Sequence, residues 1–184
     1  AMGSGSIRAP GQQRQTLLPD GDEIRMMYSM TGGPDGMPGG MNGSTSVDTE
    51  GAYQVTDTQA WNGDSYDTQD ADMSVIMVTD GGSLTLENAT VEKSGDTSNT
   101  ENSEFYGQNA AVLVKSGSSA TISDTTISTS AEGANAVFAT GEGAEITLSG
   151  VTINTTGNSS RGLDATYGGS ITADTVDITT QGAH

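Results

Sequence analysis

One phrase occurs four times along this chain, and it limits the fold more than any other feature. GGSLTLENATVEKSG at 81–95 returns as GSSATISDTTISTS at 117–130, as GAEITLSGVTINTTG at 143–157 and as GGSITADTVDITTQG at 168–182. Superposing the copies places Leu84, Ala120, Ile146 and Ile171 in one column, at spacings of 36, 26 and 25 residues. The long spacing carries a polar surplus, SGDTSNTENSEFYGQN at 94–109, which reads as a loop protruding from one repeat.

Within a copy, apolar residues come in pairs separated by one residue. The third copy has Val137 and Ala139, Ile146 and Leu148, Val151 and Ile153. That spacing puts both members of a pair on one side of a short strand. Three such strands in about 25 residues describe one turn of a coil whose inward face is completed only by the turns above and below it. A leucine-rich repeat would need its Leu/Asn framework, and a propeller blade a longer, aromatic-marked period; neither is present.

The composition agrees with a thin core. Only 32% of residues are hydrophobic and 4% aromatic, while 26 glycines supply turns, among them corners at Gly81, Gly117 and Gly168. Thr85, Thr121, Thr147 and Thr172 fall between the inward residues and are expected to form an outward ladder about 4.8 Å from rung to rung. Helix is nearly absent from the pattern.

The sequence is predicted to be all-β: a parallel β-helix of about four to five rungs over 48–184, with DTEGAYQVTDTQAWNGDSYDTQDADMS at 48–74 as a degenerate first rung anchored by Tyr53, Val55 and Trp61. Residues 1–4, AMGS, read as a cloning scar. Residues 5–47 read as an N-terminal cap: a hairpin at 15–29 around Pro-Asp-Gly-Asp, then a Gly/Met/Pro-rich strap at 30–44. Nothing resembling a cap follows QGAH, so the last rung is expected either to continue in a longer β-helix or to associate with another chain.

This pattern over 48–184 resembles the right-handed parallel β-helix of the pectate-lyase-like superfamily, and within it the noncatalytic, Thr/Asp-rich adhesin-like proteins of bacterial surfaces. The resemblance implies right-handedness, an extracellular or cell-surface location, and a glycan or surface protein as partner. It also implies the main alternative, a fragment of a polysaccharide lyase or glycoside hydrolase. A structural spacer and an ice-binding protein are further alternatives, the last weakened by charges that interrupt the Thr array.

Charge and residue types exclude several function classes. A formal charge of −18 opposes nucleic acid and anionic polymers, and no apolar run is long enough for membrane insertion. There is no cysteine, and His184 is the only histidine, which removes thiol chemistry and leaves a His-based triad or metal site nothing to build on. The repeats hold only Lys93, Lys115 and Arg161 as cations, with no clustered base for a lyase, and no adjacent Asp pair for a hydrolase.

Binding candidates remain. Tyr167, Phe105, Tyr106 and Trp61 are rings able to stack on a sugar, and Asp164 projects outward in a column with Met77, Leu113 and Phe138, a mixture that suits a contact surface. No cofactor is expected except calcium, for which Asp64, Asp67, Asp70 and Asp72 supply oxygens without the EF-hand spacing.

Overall fold

A computed structural model of the chain describes residues 47–183. The hairpin and strap expected before residue 46 lie outside the described residues.

The fold is a β-solenoid of about 5 turns with parallel sheets and 53% strand. The first rung is β1 (Glu50–Val55), β2 (Thr58–Asn62) and β3 (Ser65–Thr68); the second is β4 (Met73–Val78), β5 (Ser83–Glu87) and β6 (Thr90–Lys93). A short helix, α1 (Thr100–Tyr106), precedes the third rung of β7 (Val112–Val114), β8 (Ser119–Ser123) and β9 (Thr126–Thr129). The fourth is β10 (Val137–Thr140) and β11 (Glu145–Thr155), the fifth β12 (Leu163–Thr166) and β13 (Ser170–Thr180).

One sheet stacks β1, β4, β7, β10 and β12. The other strands form a second sheet folded along a corner, which β11 and β13 cross without interruption. At that corner the chain needs one left-handed residue per rung, filled by Gly63, Asn88, Asp124, Gly150 and Thr175. Asn, Asp and Gly tolerate this conformation best, which explains the turn residues at the centre of the first three repeated phrases; in the fourth the β-branched Thr175 adopts it at φ 60°.

Every column expected from the repeats is in register. Leu84 pairs with Ala120, Ala120 with Ile146, and Ile146 with Ile171. The Thr ladder runs beside it, Thr85 to Thr121 to Thr147 to Thr172. The first rung is continuous with the others: Tyr53 pairs with Ile76, Val55 with Val78 and Trp61 with Leu86.

Leu86, Ile122, Leu148, Ile127 and Ile153 are fully buried, whereas the partly buried Trp61 and Tyr66 at one end and Leu163, Ile171 and Val176 at the other pack on the same core. At the first rung Tyr53, Trp61 and Tyr66 form one aromatic cluster, with Trp61 and Tyr66 stacked at 5.1 Å and Tyr53 edge-on to both. Large rings thus fill inward positions of the first rung, where Trp61 lies over Leu86 and Tyr66 over Val91.

Position along the axis should therefore set the cost of a cavity. Ile146→Ala in the fourth rung is expected to lose about 2–5 kcal/mol, and Ile171→Ala in the same column less than half of that. Equal denaturant midpoints for the two variants would contradict a core closed from both sides.

Candidate functional site

The polar surplus does not protrude. It folds back over the outward face of the smaller sheet, where Met77, Leu113, Phe138 and Asp164 stand in one column, as their alignment requires. Met77, Leu113 and Phe138 are buried beneath it with Ala110, in an apolar cluster separate from the solenoid core. The chain's own insertion therefore covers the apolar part of the column that the sequence offered as a contact surface.

The insertion is held by named contacts. Asp72 accepts from the Ser98 backbone N–H and hydroxyl, each at 2.7 Å, and Asp96 accepts from the Glu132 N–H at 2.9 Å. The Ser103 hydroxyl donates to the Gly133 carbonyl, and the Asn135 amide donates to the Ser103 carbonyl at 3.2 Å. α1 starts at Asn99, whose side chain accepts from the Asn102 N–H, and stops at Gly107, left-handed at φ 77°. A methyl group on Gly107 would lie 2.5 Å from Leu113 Cδ1 and 2.8 Å from Phe138 Cδ1.

This fold-back assembles a surface from distant parts of the chain. The Thr166 hydroxyl donates to the Phe105 carbonyl at 2.9 Å across 61 residues of sequence. Tyr106 stacks on Tyr167, ring centres 5.6 Å apart. Arg161 bridges Glu104 at 3.2 Å and Asp164 at 3.5 Å. Burial raises the Asp164 carboxyl above its ordinary range, opposed by the Arg161 guanidinium and a backbone hydrogen bond, and reinforced by Glu104.

Four of the sequence-flagged residues, Phe105, Tyr106, Asp164 and Tyr167, thus share one patch. Phe105 is 47% and Tyr167 40% exposed. Tyr167 adopts φ 52°, a left-handed conformation that costs a bulky residue about 1–2 kcal/mol. Stacking on Tyr106 offsets a cost of that size. The arrangement offers flat apolar area beside a carboxylate and a guanidinium, which suits recognition of a polar ring.

The other candidates lie elsewhere. Trp61 belongs to the aromatic cluster of the first rung. Asp64 sits in a turn and Asp67 on the outer side of β3, in register with Glu92. The Asp70 carbonyl accepts from Lys93, and both carboxylate oxygens of Asp72 are engaged by the insertion. Among the described residues no group of three or more His, Asp or Glu side chains is placed to hold a metal ion, and no helix is long and apolar enough to cross a membrane.

Sequence reasoning missed two features. The helix was legible as Asn99 followed by Glu101 and, at its end, Gly107, a capped turn overlooked inside a polar run. The second is Lys93, which is 2% exposed on the inward side of β6. Its ammonium donates to the carbonyls of Asp70 at 2.8 Å, Gly95 at 3.0 Å and Ser94. Burial pushes its pKa from 10.5 down to about 8, against the pull of Asp70, Asp72 and Asp96.

No family model matches the chain, and no curated protein or solved structure matches it either.

Gly107→Ala is expected to destabilise the protein by about 1–3 kcal/mol and to expose the apolar cluster to a hydrophobic dye; unchanged stability and dye binding would contradict the placement of α1. For Lys93, the unfolded chain binds more protons than the folded one between pH 8 and 10.5, so stability should rise with pH across that window. Lys93→Met should abolish this part of the slope in denaturant titrations.

Proposed function

We propose that the protein is a noncatalytic, extracellular β-helix module of a bacterial surface adhesin that binds glycan or another surface partner through the patch between α1 and β12. One observation carries this reading: Phe105, Tyr106, Asp164 and Tyr167, from two distant segments, converge on one surface on which the Phe105 and Tyr167 rings are exposed. Exposed rings beside hydrogen-bonding charges are a means of stacking on and orienting a sugar. Met77, Leu113 and Phe138, the other members of the Asp164 column, are buried beneath the insertion and offer a ligand no reacting group.

The location and the adhesin assignment rest on the resemblance of the repeats and on their Thr, Ser, Asn and Asp content. A glycoside hydrolase reading has one observation in its favour, the carboxylates Asp67 and Glu92 on adjacent strands. Both project from the same sheet face, so they meet one side of a ligand, whereas acid and base in such hydrolases flank the scissile bond.

The test is retention on a panel of immobilised polysaccharides, with the supernatant assayed for new sugar ends. Binding without release is expected. Phe105→Ala and Tyr167→Asn, the latter chosen because Asn tolerates the left-handed turn, should each weaken binding about tenfold. Release of sugar ends that disappears in Glu92→Gln would establish the hydrolase instead.

A further inference from the structure

Two phenol rings 61 residues apart in sequence meet where α1 ends. Tyr106 is the last residue of α1 and Tyr167 the first after β12; their ring centres lie 5.6 Å apart, with planes 23° from parallel. The backbone holds both rings in place. The residues just before them are tied to each other, since the Thr166 hydroxyl donates to the Phe105 carbonyl at 2.9 Å. Tyr167 is 40% exposed and Tyr106 half-buried.

Tyr167 occupies its corner against the preference of its backbone. β10 and β12 are in register at Thr140 and Thr166, so the next position holds Gly141 in the fourth rung and Tyr167 in the fifth, and Asp80 holds it in the second. These three residues have φ 101°, 52° and 56°. Gly and Asp suit positive φ and a bulky aromatic residue does not. A strained residue whose side chain meets a like side chain at the surface points to chemistry between the two.

The orientation of the rings suits one reaction. A phenoxyl radical carries unpaired spin at the two Cε carbons, in orbitals perpendicular to the ring plane. Nearly parallel rings aim these orbitals at each other, and perpendicular rings do not. Tyr53 is as exposed as Tyr167 but stands at 87° to Tyr66, and the ring stacked on Tyr66 is Trp61, which is not a phenol. Burial, reinforced by Asp64 and Tyr53, also raises the pKa of the Tyr66 phenol, so that ring gives up its proton less readily. Among the described tyrosines, Tyr106 and Tyr167 are the stacked pair.

We propose that Tyr106 and Tyr167 form an oxidative crosslinking site, joined as dityrosine by a haem peroxidase and hydrogen peroxide. Each phenol gives up one electron and one proton. The two phenoxyl radicals pair their electrons in a Cε–Cε bond, and the hydrogen on each joined carbon moves to its ring oxygen, which restores both phenols. One peroxide takes up the two electrons and two protons and becomes two waters, so the chain is lighter by two hydrogens. The product bonds α1 covalently to the fifth rung, and it forms with no ligand in the patch.

The experiment treats the dilute full chain with a haem peroxidase and equimolar hydrogen peroxide, isolates the monomer and digests it with trypsin. Cleavage after Lys93, Lys115 and Arg161 leaves Tyr106 as the only tyrosine of 94–115 and Tyr167 as the only tyrosine of 162–184. The expected product has dityrosine fluorescence, contains both peptides and is two hydrogens lighter than their sum. Tyr106→Phe and Tyr167→Phe should each abolish it. Because the bond closes a long loop, the crosslinked monomer should melt about 5–10 °C above the untreated chain.

Peroxide consumed without the joined product would overturn the proposal, as would oxidation confined to 26–93, the peptide that carries the other three tyrosines. Formation of the joined product as fast in denaturant as in the folded chain would overturn it too, since the stacked geometry would then have no part in the coupling.

Discussion

Parallel hydrogen bonding between successive rungs is the constraint from which the rest of this structure follows. Each strand satisfies its backbone through the strand one rung away, and the ladder continues through the corners: Ser119 donates to Gly82, Glu145 to Ser118 and Ser170 to Ala144, all at 2.9–3.1 Å. Since the rungs must be superimposable for this to hold, each inward position is forced into a column of like residues. A narrow column accepts Val, Ile, Leu or Ala and little else, which is why a chain with so few hydrophobic residues still closes a core.

The same constraint governs the ends. Inside the stack a side chain is covered by a rung on each side; among the described residues the first rung has a neighbouring rung on one side alone. The aromatic cluster of Tyr53, Trp61 and Tyr66 meets that shortage with size, each ring covering more of the rung beneath than a branched aliphatic could. At the fifth rung the residues in the same columns, Leu163, Ala173 and Ile178, are aliphatic, and Ile178 is 41% exposed.

The columns were legible because a repeat shows its own alignment: the stacking of Leu84, Ala120, Ile146 and Ile171 needs only a spacing. The first rung was legible less fully, since Gln59 stands where Leu84 stands and the rings replace aliphatic residues. What stayed hidden belongs to no repeat. The direction of the insertion depends on where a single copy of a polar segment finds an apolar surface, and only the assembled sheet shows that Met77, Leu113 and Phe138 provide one. The adjacency of Asp67 and Glu92 required the first rung's register. Lys93, in a column otherwise filled by threonines at Thr68, Thr129, Thr155 and Thr180, looked like a surface charge because its carbonyl partners come from the backbone, which leaves no mark in sequence.

The insertion leaves the solenoid after the second rung and is fastened as far along as the fifth, through Arg161 to Glu104 and Thr166 to the Phe105 carbonyl. In a stack joined only by neighbours, tension applied at one end would peel rungs away singly, each at the same small force. A strut tied across several rungs makes them share the load, so the first yielding event must detach the strut and the outer rung together. That raises the force at which unravelling from the fifth rung begins without adding a single residue to the core.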